Sequence, residues 1–355
     1  MRNMPSDESL RAARGSAKII RTRSVSLAAT PRLIIVSAVL LAIMIILGIW
    51  AMTIGKLPIS FADVFASLFG LEDIKYERVV HHIRLPRVVT AIFAGAALGA
   101  SGAVFQSVSR NALGSPDVIG FTVGAATGAI LQIVVFRAPA AQVALGAIIG
   151  GVVTALVVYL LSVKHGVSGG YRLILTGIGV GAICAAINDL LLVSGDLDDA
   201  VTANLWLSGS LDARTWEHAI PVMVGVVVLL PLISILARRA TLMEMGDDLA
   251  RQLGVPVERT RVFLMLAAVL LAALATAAAG PIAFVALAAP QIVARLTAAR
   301  GMPVVSAALM GACLLVGADV IAQLLPISAS VPIGRMTGII GGVYLLYLIS
   351  RSRQV

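Results

Sequence analysis

The chain has 355 residues, of which 59% are hydrophobic and 13% charged. Soluble domains carry roughly twice that share of charge, so the composition excludes a soluble globular protein and points to an integral membrane protein. The net charge of +9 fits the excess of Lys and Arg on cytoplasmic loops of membrane proteins, with no need of a nucleic-acid partner.

Residues 1–32 hold seven Arg and Lys against two acids and read as a basic cytoplasmic arm. From there the apolar runs are long enough to span a bilayer as helices, which takes about 20 residues each. The alternating ten-residue segments of a membrane barrel are missing. The fold class is all-α, a polytopic membrane protein with about ten transmembrane helices occupying residues 33–353.

The first span covers about Ile34–Thr53 and is read as retained rather than cleaved. Ser60 then opens a short helix whose Phe61, Val64, Phe65, Leu68 and Phe69 make an apolar stripe, as in a helix lying at the membrane interface. Arg84-Leu-Pro-Arg87 leads into span two, about Val88–Ser107. A turn-rich break, Arg110 to Asp117, precedes span three, about Val118–Val135. Glycines spaced by four (Gly95 and Gly99; Gly120, Gly124 and Gly128) mark faces where backbones approach closely.

Span four covers about Ala141–Leu161, with Lys164 and Arg172 in the loop after it. Span five, about Leu173–Val193, carries Asn188 and Asp189, which are costly in lipid and expected to face the bundle, water or a membrane edge. An acidic loop follows, with a short helix expected over Ala203–Ser210. Span six is about Ala219–Leu236. Span seven, about Val262–Ala279, stops at Gly280-Pro281. Spans eight (Ile282–Leu296), nine (Val304–Leu325, with Asp319) and ten (Pro332–Ile349) complete the set. Breaks at Gly-Pro and an intramembrane acid are features of transporter working regions.

Between spans six and seven lies a polar stretch, Arg238 to Arg261, with a coupling segment at 240–256. A helix is expected over Leu242–Leu253, with Asp247 and Asp248 early and Arg251 a turn later, in keeping with the helix dipole. Gly254 and Pro256 stop it. Such a segment is either a solvated connector or a helix presented to a partner. With the N-terminus inside, 19 of the 27 Lys and Arg fall on the inner side and 8 on the outer. Both termini and this stretch are then cytoplasmic.

The chain has no phosphate-binding Gly-x4-Gly-Lys-Ser/Thr loop, so ATP hydrolysis is not expected here. Neither a zinc-protease motif nor a nucleophile elbow is present, and the four histidines lack metal-ligand spacing. Ion-driven transport would have to rest on Asp189, Asp319 and Asp117. The two cysteines, Cys184 and Cys313, lie in apolar runs and are read as buried small residues, with no disulfide framework or metal site expected.

Several stretches, in order, resemble the permease subunits of FecCD-type ABC importers, which take up ferric siderophores, haem or cobalamin. They are Arg84-Leu-Pro-Arg87, Gly102-Ala-Val-Phe-Gln106, Arg110-Asn-Ala-Leu-Gly-Ser-Pro-Asp-Val-Ile-Gly120, Trp206-Leu-Ser-Gly-Ser-Leu211, Gly246-Asp-Asp-Leu-Ala-Arg-Gln-Leu-Gly254, Ala279-Gly-Pro-Ile-Ala-Phe-Val285, Ala289-Pro-Gln-Ile-Val-Ala-Arg295 and Pro332-Ile-Gly334. Together they cover about residues 50–350. The Arg110–Gly120 stretch, the Trp206 motif and Gly177-Ile-Gly-Val-Gly181 look closest to the ferric-siderophore branch, in particular the ferric-enterobactin type. Cobalamin or haem permeases, and an ion-coupled secondary transporter, are the alternatives.

The resemblance implies a type II ABC importer permease architecture and a homodimer, or a heterodimer with a paralogue. It also implies two ATP-binding subunits below, a siderophore-binding protein above, and residence in a bacterial cytoplasmic (inner) membrane. ATP and Mg belong to the partner ATPase; no cofactor or metal is expected on this chain. Gly246, Asp247, Asp248, Arg251, Leu253 and Gly254 match the ATPase-coupling segment. Arg84 and Arg87 match outer-face arginines that meet the binding protein or support that face. Asn111, Pro116, Gly177, Gly181, Asp189, Pro281, Asp319, Pro332, Gly334 and Gly338 are the expected pathway and gating positions, with spans five and ten lining the passage. Two departures stand out. Gln323 replaces a family arginine, and Ser330-Val331-Pro332 replaces Glu-Leu-Pro. Arg335 is expected to move the missing outer charge by a few positions and to serve binding-protein docking.

Overall fold

The computed structural model describes residues 18–21, 26–29, 31–55, 57–70, 76–163, 171–298, 301–325 and 331–351. The expectations placed on residues 1–17, Lys164 and Ser330 lie outside them. The only strands among the described residues are β1, Lys18–Arg21, and β2, Ser26–Ala29, an antiparallel pair in the arm.

The rest is helix. In chain order the helices are α1 (Pro31–Thr53), α2 (Phe61–Phe69), α3 (Glu77–Ser109, with a π turn at Val80–Arg84), α4 (Phe121–Val135), α5 (Ala140–Ser162) and α6 (Tyr171–Ser194). They continue as α7 (Leu197–Leu207), α8 (Trp216–Glu244), α9 (Asp247–Gln252), α10 (Val257–Ala279), α11 (Val285–Thr297), α12 (Val304–Leu324) and α13 (Ile333–Arg351). Seven of them are long and apolar enough to cross a membrane unaided, and α4 and α11 are shorter apolar helices. With α13 these make the ten expected from hydropathy.

The axis of the bundle is α3. In its most apolar stretch 83% of residues are buried, against 11% in α1 and 22% in each of α6 and α8. Helices α1, α8, α10, α11 and α12 all pack on it. Its small residues explain why. A Cβ at Gly95 would lie 2.4 Å from the Gly311 carbonyl oxygen, at Gly99 2.1 Å from that of Ala307, and at Gly102 1.7 Å from that of Ala286. No side chain fits there, so α3 meets α12 and α11 backbone to backbone. Hydrocarbon tails are as apolar as leucine, so close packing replaces the hydrophobic effect in holding such helices together. Helices α4, α5 and α6 form a second group, in which α4 meets α5 through Gly124 against Thr154 and Gly128 against Gly146.

Two boundaries differ from the sequence reading. The helix expected over Leu242–Leu253 is only Asp247–Gln252, because α8 runs on to Glu244 and Gly246, at φ 122°, breaks the path. The helix expected over Ala203–Ser210 is Leu197–Leu207. Asp198 and Asp199 favour its start through the dipole, and Gly209, at φ 65°, lies beyond its end. Ser60 does cap α2, accepting from the Asp63 amide at 3.2 Å. Within α2, Val64 turns inward while Phe61, Phe65 and Phe69 are exposed, as suits an interfacial helix.

Candidate functional site

Three features stand out: the short helix α9, the far end of α3, and a cavity where four chain breaks meet. At the first, Asp247 opens α9 and is held from two sides. Arg261 of α10 reaches it at 2.7 Å and Arg110, just past α3, at 3.3 Å. Arg261 is 2% exposed and also pairs with Glu258 at 2.8 Å. Glu258 accepts from the Tyr159 hydroxyl of α5 at 3.0 Å. One buried guanidinium therefore joins α9 to the bundle, beside a small core of Met243, Ala250, Val255 and Val257.

The opposite side of α9 is open. Asp248, with 91% of its side chain exposed, pairs only with Arg251 a turn on. Met245, Leu249 and Leu253 are exposed large apolar residues. Gly246 and Gly254 both have positive φ, and a Cβ at either would meet nothing within 4 Å. The six expected coupling residues thus divide: Asp247 anchors, while Asp248, Arg251 and Leu253 project. Met245 and Leu249, which the sequence reading passed over, belong with the projecting group. Arg261, Glu258 and Tyr159 were also missed; an arginine and a glutamate opening an apolar helix were the available signal.

At the other end of α3, Arg84 is buried and donates to the Met52 and Leu57 carbonyls, fastening the end of α1 and the loop after it. Arg87 lies between two acids. It bonds Asp319 of α12 at 2.8 Å and Asp212, in the loop after α7, at 2.6 Å. Gln323 donates to Asp319 at 2.8 Å. Asp319 is 2% exposed, so its charge is compensated by Arg87 on one side and by the amide of Gln323 on the other. Asp319 stands in this ion cluster, and Gln323, the departure from the family arginine, is part of it. In the same loop, burial pushes the Arg214 guanidinium below its ordinary range, while the charge of Asp212 works in the opposite direction.

The cavity has a volume of about 610 Å³. Its walls come from the turn Pro116–Ile119 and the start of α4 (Ser115, Asp117, Thr122), the end of α7 (Asn204, Leu207, Ser208), the α10–α11 break (Pro281, Phe284) and the start of α13 (Gly334, Arg335). Tight backbone contacts set this meeting point. A Cβ at Gly334 would lie 2.5 Å from the Ser208 carbonyl oxygen and 2.6 Å from that of Pro281. Gly209, at φ 65°, makes an equally close approach to Pro281. Phe284 holds φ 69°, rare for a bulky residue, and its ring covers Gly341 of α13, where a Cβ would lie 2.3 Å from it.

Of the expected pathway positions, Pro281 and Gly334 line the cavity, and Pro116 opens the turn that contributes Ser115 and Asp117. Gly177 and Gly181 pack against Gly120 beside that turn. The others lie elsewhere. Asn111 shapes the preceding turn, its side chain accepting from the Leu113 amide at 2.9 Å. Pro332 takes the first helical bonds of α13, from Arg335 and Met336. Asp189 is exposed on α6. Gly338 faces open space. Exposed apolar side chains run along both α6 (Leu175, Ile178, Ile183) and α13 (Ile339, Val343, Leu346). Among the described residues no three His, Cys, Asp or Glu side chains gather as a metal ion requires.

A multi-pass helical bundle, broken near a cavity and presenting a short polar helix on one face, has the build of a membrane permease. Residues 40–351 match the FecCD transport family. The ferric enterobactin transport system permease of Escherichia coli (strain K12) is 44% identical over 324 residues, 91% of this chain and 98% of that protein. The Fe(3+)-citrate import system permease YfmE of Bacillus subtilis (strain 168) is 36% identical over 88% of this chain and 93% of its own. The hemin transport system permease of Yersinia pestis is 33% identical over 91% and 97%. A metal-chelate type ABC transporter solved in an inward-facing conformation superposes with a TM-score of 0.78 at 26% identity, covering 89% of this chain and 99% of that one. The chain belongs to the FecCD transport family.

Proposed function

We propose that this chain is the membrane-spanning permease subunit of a binding-protein-dependent ABC importer that carries a ferric siderophore across the bacterial cytoplasmic membrane. The observation that carries the reading is the likeness, over nine-tenths of the chain, to a ferric enterobactin permease. The chain pairs with a second permease copy or a paralogue, and the exposed apolar faces of α6 and α13 support that contact. ATP and Mg are handled by two separate ATP-binding subunits. The N-terminal arm and α9 are cytoplasmic, in keeping with the distribution of Lys and Arg.

In this reading α9 is the coupling element. Asp248, Leu249, Arg251, Leu253 and Met245 enter the ATPase, and the Asp247–Arg261 ion pair makes α9 move with α10. ATP-driven closure biases the bundle between two packings. Arg84 and Arg87 support the outer face on which the binding protein docks, since both guanidiniums are engaged by this chain's own groups.

The test is ATPase activity of the purified permease–ATPase complex in lipid. A cognate binding protein loaded with a ferric siderophore should raise the basal rate, and Leu253→Asp should remove that stimulation. Uptake that persists without an ATPase subunit and collapses with the proton gradient would replace this reading with ion-coupled transport.

A further inference from the structure

Arg335 has no evident task in the fold. It lies in the first turn of α13, where the helix dipole disfavours a cation. It is exposed, and it forms no ion pair among the described residues. A residue that breaks a local rule without a compensating contact is a candidate for function. Arg335 instead lines the cavity of about 610 Å³, within the usual range of small-molecule sites, roughly 300–1,000 Å³.

The remaining walls show what such a site accepts. Leu207, Pro281, Phe284 and Leu287 are apolar, and Ser115, Asn204 and Ser208 add a few uncharged polar groups. The other charged residue is Asp117. Its carboxylate takes the Thr122 hydroxyl, and burial pushes its carboxyl above the ordinary carboxylate range. Asp117 sits in the turn between α3 and α4, outside the spanning helices. Asp117 is thus engaged by its near neighbour Thr122, whereas the Arg335 guanidinium has no ion-pair partner among the described residues, and its planar fork suits paired anionic oxygens.

We infer that this cavity is a transit site for ferric chelates of net negative charge, and that Arg335 is its charge-selecting residue. The inference rests on the ferric-siderophore reading above and narrows it to chelates built from catecholate or carboxylate oxygens. A ferric tris-catecholate offers aromatic faces to the apolar walls and anionic oxygens to Arg335. A ferric trihydroxamate of similar size is neutral and lacks the second contact.

The test uses the whole permease–ATPase complex in lipid nanodiscs without binding protein, dialysed against ferric tris-catecholate or ferric trihydroxamate. The native complex should retain the tris-catecholate more strongly. Arg335→Gln should weaken that retention about tenfold, the scale of one charge-assisted contact, and Arg335→Lys should recover part of it. Trihydroxamate retention should be the same in native and Arg335→Gln protein. Leu207→Trp, which enlarges an apolar side chain of the lining, should weaken both. Arg78→Gln, an exposed arginine outside the cavity lining, should change neither.

Equal retention of the tris-catecholate by native and Arg335→Gln protein would overturn the assignment. So would an equal loss in Arg78→Gln, a preference for the neutral chelate, or no retention of either chelate. ATP-driven uptake with a loaded binding protein judges the importer reading separately. Uptake of an anionic ferric chelate that survives Arg335→Gln sinks the site and leaves the importer standing. Failure of ATP-driven uptake for every ferric chelate sinks the importer.

Discussion

The two ends of α3 solve the same problem with opposite charges. At the α9 end the buried charge is a cation, Arg261, shared between Asp247 and Glu258. At the far end it is an anion, Asp319, held by Arg87, which also grips the half-exposed Asp212. Each end uses one buried charge to fix a polar segment to an apolar bundle, α9 in one case and the loop after α7 in the other. The comparison shows why neither charge can be removed alone: its partner would remain in a medium that solvates it poorly. It also separates residues that hold the segments from residues free to meet something else.

That difference can be broken by experiment. The largest loss is expected for Arg261→Met, which strands Asp247 and Glu258. Breaking a buried pair costs about 3–5 kcal/mol, so thermal unfolding in detergent should fall well below native, and uptake should be lost with it. At the other end, Asp319→Asn should cost about 2 kcal/mol, against about 1 kcal/mol or less for the more exposed Asp212→Asn. Equal melting shifts for those two variants would show that burial does not rank the arms of the cluster.

Gly254→Ala sharpens the picture of α9. A Cβ there meets nothing within 4 Å, so only the left-handed backbone is penalised, by about 1–2 kcal/mol. Gly102→Ala, whose Cβ would lie 1.7 Å from a carbonyl oxygen, should lower the melting point further. The smallest stability effect belongs to Asp248→Lys, within about 0.5 kcal/mol because its pair with Arg251 is exposed. That variant should nonetheless lose binding-protein stimulation of ATP hydrolysis. A melting shift as large as that of Asp247→Lys would show that the projecting side of α9 is structural after all.

The number and order of the spans were legible because a run of about 20 apolar residues has few alternatives. The glycine faces were legible too, since spacing by four places Gly95 and Gly99, or Gly124 and Gly128, on one side of a helix. What could not be read was partnership across the chain. Arg84 and Arg87 announced a positive outer face, but their carbonyl and carboxylate partners come from α1, α12 and the loop after α7. Asp247 and Asp248 are adjacent and alike in sequence, yet one is anchored to α10 and the other pairs within α9. That depends on where Arg261 of α10 arrives. The start of α9 was misplaced because Met243 and Glu244 suit a helix equally well as the end of α8.

The length of α8 has a mechanical consequence. Its 29 residues span about 43 Å at roughly 1.5 Å per residue, against about 30 Å of hydrocarbon. It therefore extends beyond the lipid, and α9 follows it directly. A thinner bilayer is met by tilting such a helix or by local thinning, and tilt at the lipid swings its protruding end sideways. Membrane thickness thus bears on where the protruding end of α8, and α9 after it, stands relative to the lipid.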